Sequence, residues 1–127
     1  MADNLTNTAE NKMLDALVGT ASYSANTPIK LALVTAGGSD TAAGTEVSGG
    51  SYARQTITFN ATASGSIDSA AAVSFTNMPT CTVTGIELWD SAGTPVRLAY
   101  GNLTSSKSLT SGDTLEFAAG SITLTLS

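Results

Sequence analysis

Apolar residues recur at helical spacing once in this chain, near its start, and then alternate with polar ones almost to its end. Leu14, Leu17, Val18 and Ala21 fall on one face of a 3.6-residue period while Asn11, Lys12 and Asp15 fall elsewhere, which predicts an amphipathic helix over residues 8–18. Asn7 stands where an N-cap belongs, Glu10 follows it by three residues as in a capping box, and Gly19 after the last apolar residue is a natural stop. A helix with so narrow a stripe has to dock on something. Two readings stay open: it covers an open end of the sheet in its own subunit, the simpler case, or it reaches a neighbouring subunit.

After Pro28 the period becomes two. Ile29, Leu31 and Leu33 point to one side and Lys30, Ala32 and Val34 to the other, a first strand. Residues 36–51 hold five glycines and hardly any large apolar side chain, and predict a long exposed loop. A second strand is expected over residues 52–60, with Ala53, Ile57 and Phe59 facing in, and a small-residue loop over 61–69. Ala71, Val73 and Phe75 give a third, ended by Asn77, Met78 and Pro79. The fourth, Cys81 to Trp89, changes apolar parity at Gly85, which predicts a bulge or bend there. Asp90-Ser-Ala-Gly-Thr-Pro95 is rich in turn formers, so this strand folds back as a hairpin onto Val96, Leu98 and Tyr100. A weaker strand over 103–110, a turn at Ser111-Gly112-Asp113, a short strand with Leu115 and Phe117, and a final one over 121–127 with Ile122, Leu124 and Leu126 inward complete the pattern.

About eight short strands punctuated by Gly, Ser and Asn predict a mainly β fold, an antiparallel β-sandwich of jelly-roll-like type with one short N-terminal helix. No internal repeat is evident, which excludes solenoids and propellers. The length of 127 residues suits a single domain spanning 1–127, with an N-terminal arm and helix over 1–27 and a β core over 28–127.

Composition changes this picture in one respect. Charged residues make up 12% of the chain, against about 25% in an ordinary soluble domain, and Ser and Thr take their place. Such a surface repels its own copies weakly and loses few ion-solvation contacts when covered, which suits a protein that lives in an assembly. The net charge is −5, and the five basic residues, Lys12, Lys30, Arg54, Arg97 and Lys107, are scattered, so nucleic acid is not an expected partner. No stretch approaches the roughly 20 apolar residues that cross a bilayer, and the start lacks the basic and apolar regions of a signal peptide; a product made in a host cytoplasm, without membrane partners, is expected. The single cysteine, Cys81, excludes an internal disulfide and reads as a small buried hydrophobe. The Asn-X-Thr triplets at Asn4, Asn60 and Asn102 are expected by chance in a chain so rich in Thr.

The chain contains no histidine, which removes the Ser-His-Asp, Cys-His and zinc-hydrolase classes together. No phosphate-binding glycine motif is present, and Asp40 and Glu46 in the glycine-rich loop lack the spacing of a calcium site; no cofactor and no metal are expected. Glycosidases need only two carboxylates, for which Glu87, Asp90, Asp113 and Glu116 are the candidates, with Glu87 and Trp89 on one face of a strand as an acid beside a sugar-stacking ring. Solvated acids at strand ends, with Asp90 and Asp113 serving their turns, account for the same residues, and no enzymatic activity is expected. Tyr52, Arg54 and Gln55 follow the long loop, and Tyr and Arg are types enriched where proteins grip each other; packing of the strand accounts for these residues equally well. The candidate interface residues are therefore Leu14, Leu17, Val18, Tyr52, Arg54 and Trp89.

Four segments, Thr45-Glu-Val-Ser-Gly-Gly-Ser-Tyr-Ala-Arg54, Gly85-Ile-Glu-Leu-Trp-Asp-Ser-Ala-Gly93, Leu98-Ala-Tyr-Gly101 and Ser111-Gly-Asp-Thr-Leu-Glu-Phe117, carry a resemblance. In order and spacing they look like small virion proteins of tailed phages that infect actinobacteria, proteins often labelled phage tail fibre proteins. The resemblance covers nearly the whole chain. It implies a structural component of the virion, partnered by the major capsid protein or by tail proteins, and carries over no catalytic residue. A fibre shaft needs repeats or long heptads, and the chain has neither. The expectation is a capsid decoration protein that stabilises the assembled shell as a homo-oligomer, with a trimer at local three-fold positions the favoured form; the alternative is a minor tail or tail-fibre-associated protein that binds the host surface.

Overall fold

The structure is a computed structural model and describes residues 5–125. Its elements run α1 (Asn7–Leu17), β1 (Ile29–Ala36), β2 (Thr45–Glu46), β3 (Gln55–Ile57), β4 (Ser66–Asp68), β5 (Val73–Met78), β6 (Cys81–Trp89), β7 (Arg97–Leu109), β8 (Asp113–Phe117) and β9 (Thr123–Thr125). All strand pairings are antiparallel. The main sheet has the order β2-β1-β6-β7, and β4–β9 and β5–β8 form two separate two-stranded ribbons. This is the mainly β, sandwich-like architecture that the short alternating strands predict.

The outer edge of β1 is shared. β3 pairs with its first half, Ile29 to Leu31, and β2 with its second, Val34 and Ala36. Leu33 falls between them. Its carbonyl accepts from Val47 N at 2.9 Å and its N–H donates to the Tyr52 hydroxyl at 2.9 Å, so a side chain closes the gap in the ladder. A buried N–H has to be satisfied somewhere.

The core gathers Leu31, Leu33, Phe75, Met78 and Val83, all essentially inaccessible. Tyr52 stacks on Phe75 with ring centres 6.0 Å apart, and Phe117 meets Phe75 edge-on at 6.3 Å.

Several boundaries differ from the sequence reading for identifiable reasons. The cap of α1 is Thr6, not Asn7: its side-chain oxygen accepts from Ala9 N at 3.2 Å, while its hydroxyl donates to the Arg97 carbonyl at 2.9 Å, tying the helix to β7 as it starts. Gly19, with φ +78°, ends the helix as expected. Ala32 and Val34 are buried along with Leu31 and Leu33, because the segment after β1 folds back over the second face of the sheet. Residues 36–51 are therefore no simple exposed loop. They contain β2 and the buried Val47, and backbone meets backbone where Gly38 approaches Ala42 and Gly44 approaches Ala36. The second strand shrinks to β3, with Ala53 exposed and Phe59 making only a single bridge to Ser69. Residues 61–69 contain β4, whose partner β9 lies far along the chain. Ala71 is exposed and β5 begins at Val73. The stretch 103–110 is no separate strand but the continuation of β7. Leu124 is half-buried, and Leu126 lies outside the described residues.

The parity change at Gly85 is a true irregularity. Val83 faces Lys107 while Gly85 faces Asn102, so β7 carries extra residues at this point. A Cβ on Gly85 would stand 2.6 Å from the Gly101 carbonyl oxygen. The β6–β7 hairpin is as expected, with Asp90 accepting from Ala92 N at 3.2 Å and Val96 N at 2.8 Å inside the turn.

Candidate functional site

The hairpin register sets Trp89 opposite Arg97 and Glu87 opposite Tyr100, and thereby brings most of the polar side chains of interest together. Glu87 is buried, not solvated as the sequence suggested, with 1% of its surface exposed. Its carboxylate accepts from Gly44 N at 2.8 Å, from Trp89 Nε1 at 3.2 Å and from the Arg97 guanidinium at 3.4 Å. Arg97, itself buried, also donates to the Ser39 carbonyl and lies 5.0 Å from the centre of the Tyr100 ring. Tyr100 in turn donates to Asp40, and that hydrogen bond, with the neighbouring charge, pushes its phenol above the ordinary value. The pair Glu87–Arg97 thus pins the glycine-rich loop to the sheet at two points, Ser39 and Gly44.

On the other side of Trp89, Arg54 stacks over the indole with its guanidinium carbon 4.1 Å from the ring centre. Arg54 grips Glu46 with two bonds, Nε to Oε2 at 3.0 Å and an Nη to Oε1 at 2.8 Å, and the Tyr52 hydroxyl donates to the same carboxylate at 2.7 Å. Burial pushes the Glu46 carboxyl up, but the hydrogen bonds from Arg54 and Tyr52 and the Arg54 charge outweigh it and hold the group below its usual value. Burial chiefly raises Tyr52, helped by the Glu46 carboxylate beside it. Three of the six sequence-predicted interface residues, Tyr52, Arg54 and Trp89, therefore sit in one continuous network, and each already has partners within the fold.

The other three do not. Leu14, Leu17 and Val18 are 59%, 80% and 72% exposed. Only the first turn of α1 docks, through Leu5, Thr6 and Ala9, with Leu5 bridging to Ala99 and Thr6 N bonded to the Leu98 carbonyl at 2.9 Å. The reading in which the stripe covers the sheet of its own subunit is corrected: the stripe points away from it.

The remaining sequence candidates are dispersed. Asp113 accepts from Thr110 N at 2.8 Å inside its turn, and Glu116 accepts from Ser74 across the β5–β8 ribbon at 2.8 Å. Cys81 is half-buried against the core, and burial raises its thiol. A small polar pocket of about 160 Å³ opens between Gly37, Gly38, Tyr100 and Asn102, with Glu87 in its wall. No group of three or more potential metal ligands occurs among the described residues, and no helix there is long and apolar enough to cross a membrane. Sequence reasoning missed the roles of Glu46, Asp40 and Arg97. The hairpin at 90–95 was a usable signal for Arg97, since folding it back sets that residue across from Trp89.

Fold and sites define a class: a small antiparallel β module whose charged side chains fasten its own loops and whose one helix projects an apolar ridge. The model of the family described as podophage GP4 fiber I protein gp80 matches residues 4–125, and the chain belongs to that family. It is accordingly a phage fibre-type structural protein and a virion component, in agreement with the fibre label that the four quoted segments implied. No curated protein matches the chain.

Proposed function

We propose that this chain is a non-catalytic, fibre-associated component at the tail of a phage particle, serving attachment to the host surface. The observation that carries the reading is the family match, which spans all but a few residues of the chain. It supports a fibre role better than the capsid decoration favoured from sequence alone. The chain's own architecture says what kind of fibre part this is. Having neither repeats nor heptads, it is a module mounted on or beside a shaft, and the shaft itself is another protein. Glu87, the acid that the strand pattern sets beside Trp89, accepts from Gly44, Trp89 and Arg97, which supports a structural rather than a catalytic role for it.

Gold-labelled antibody against the purified chain, applied to intact particles, tests this directly. Label confined to the tail and its appendages is the expected result. Label spread evenly over the head would overturn the fibre reading in favour of shell decoration.

A further inference from the structure

All of the large hydrophobic side chains exposed among the described residues, Met13, Leu14, Leu17 and Val18, lie on α1 or its C-cap. Beside the docked end of this helix runs an apolar groove formed by two adjoining hollows of about 190 and 300 Å³ that share Leu5, Met13, Ile67 and Leu124. Each hollow matches or exceeds the roughly 150 Å³ of engineered cavities that hold a benzene ring, and so has room for a leucine side chain. We propose that a second copy of this chain covers this surface, the Leu14–Leu17–Val18 ridge of each copy seated in the groove of another.

Three features select a second copy as the occupant. First, ridge and groove adjoin. Met13 lines both hollows and stands one helical turn before Leu17, so the ridge starts at the groove's edge and knob and hole are neighbours on one molecule, as a self-complementary interface requires. Second, the charges around the ridge are mixed. Lys12 lies 5.6 Å from the centre of the Tyr23 ring at the groove's rim, and Glu10 and Asp15 are on the same helix, so two copies brought together offer each other both signs. A rim of one sign would disfavour self-association. Third is area. A stable interface takes roughly 800 Å² from each partner, more than three exposed side chains supply, and the ridge needs the groove beside it to approach that scale. The helix is suited to the exchange, because its first turn is fixed to β7 while Leu14, Leu17 and Val18 beyond it stand exposed. The inference does not depend on where in the particle the chain sits.

Sedimentation velocity of the purified chain over a wide concentration range is the test. The expected result is a closed oligomer, its mass a small multiple of the 12.7 kDa chain. Leu17→Asp, and separately Leu14→Asp, should weaken assembly by about 10- to 100-fold, the equivalent of losing one buried leucine. Both side chains are exposed in the single chain, so far-ultraviolet circular dichroism should show the β fold retained; should either variant misfold, Val18→Ser gives the same reading with a smaller change. A wild-type chain that stays monomeric throughout overturns the proposal. So does an oligomer that none of these substitutions weakens, since the copies would then meet elsewhere.

Discussion

Removing the Glu87 carboxylate strands Arg97, a buried cation that would keep only the Ser39 carbonyl and the Tyr100 ring. Taking away one partner of a buried ion pair costs about 3–5 kcal/mol, most of it from the uncompensated charge left behind. Glu87→Ala should therefore lower the unfolding free energy by about that amount in a denaturant titration, while Glu87→Leu combined with Arg97→Met should recover the part due to the stranded charge and not the part due to Gly44 N and Trp89 Nε1, which stay without their acceptor. Glu46 behaves differently, because it is partly open to solvent and its value lies in its ionised form. Its carboxyl is held below the ordinary glutamate value of 4.5, so its contribution is complete above that pH and is lost as the pH falls through the lower value of the folded state. The melting-temperature gap between wild type and Glu46→Gln should be constant near neutrality and close only below about pH 4.5. A gap that closes at higher pH would mean that Arg54 and Tyr52 do not favour the charged form. Neither role was legible in the sequence. Residue type marks an acid as costly to bury, and only the hairpin register and the fold-back of the 37–44 segment reveal the three donors that repay burial of Glu87.

At the scale of elements, what alternation and turn chemistry report locally was legible and what depends on distant partners was not. The helix, the β6–β7 hairpin and the irregularity at Gly85 each follow from neighbouring residues, and each is present. β4 and β2 are two or three residues long and owe their existence to β9 and β1, so no local period announces them. The cap moved from Asn7 to Thr6 because Thr6 has a second partner in the Arg97 carbonyl, a contact spanning most of the chain. The loop over 36–51 looked exposed because glycines have no side chain to bury, yet here their lack of one lets backbones touch. The same logic makes a sharp test at the bulge. Gly85→Ala sets a methyl group 2.6 Å from the Gly101 carbonyl and should cost about 1–3 kcal/mol, whereas Gly93→Ala, in open space within the hairpin turn, should change stability by much less. Equal effects in thermal denaturation would mean that the β6–β7 ladder is free to spread at this point.

For the whole molecule, the same small content of charge has two consequences. Within the chain, several of the few charged groups are drawn into one network that holds the glycine-rich loop and the sheet edge together. Outside, Ser and Thr are abundant among the exposed positions, and the large hydrophobics exposed among the described residues form a ridge on the helix. A module of this kind gains by being repeated and attached, and membership of a phage fibre family provides the setting. Location is the claim on which the functional account turns, and copy number reports it, because particle geometry ties the count to the place. Quantitative mass spectrometry of purified particles, referenced to the major capsid protein, should find the chain in a few to a few tens of copies, the number that tail appendages supply. A count in the hundreds, in simple ratio to the capsid protein, would contradict the fibre assignment and put the chain on the shell.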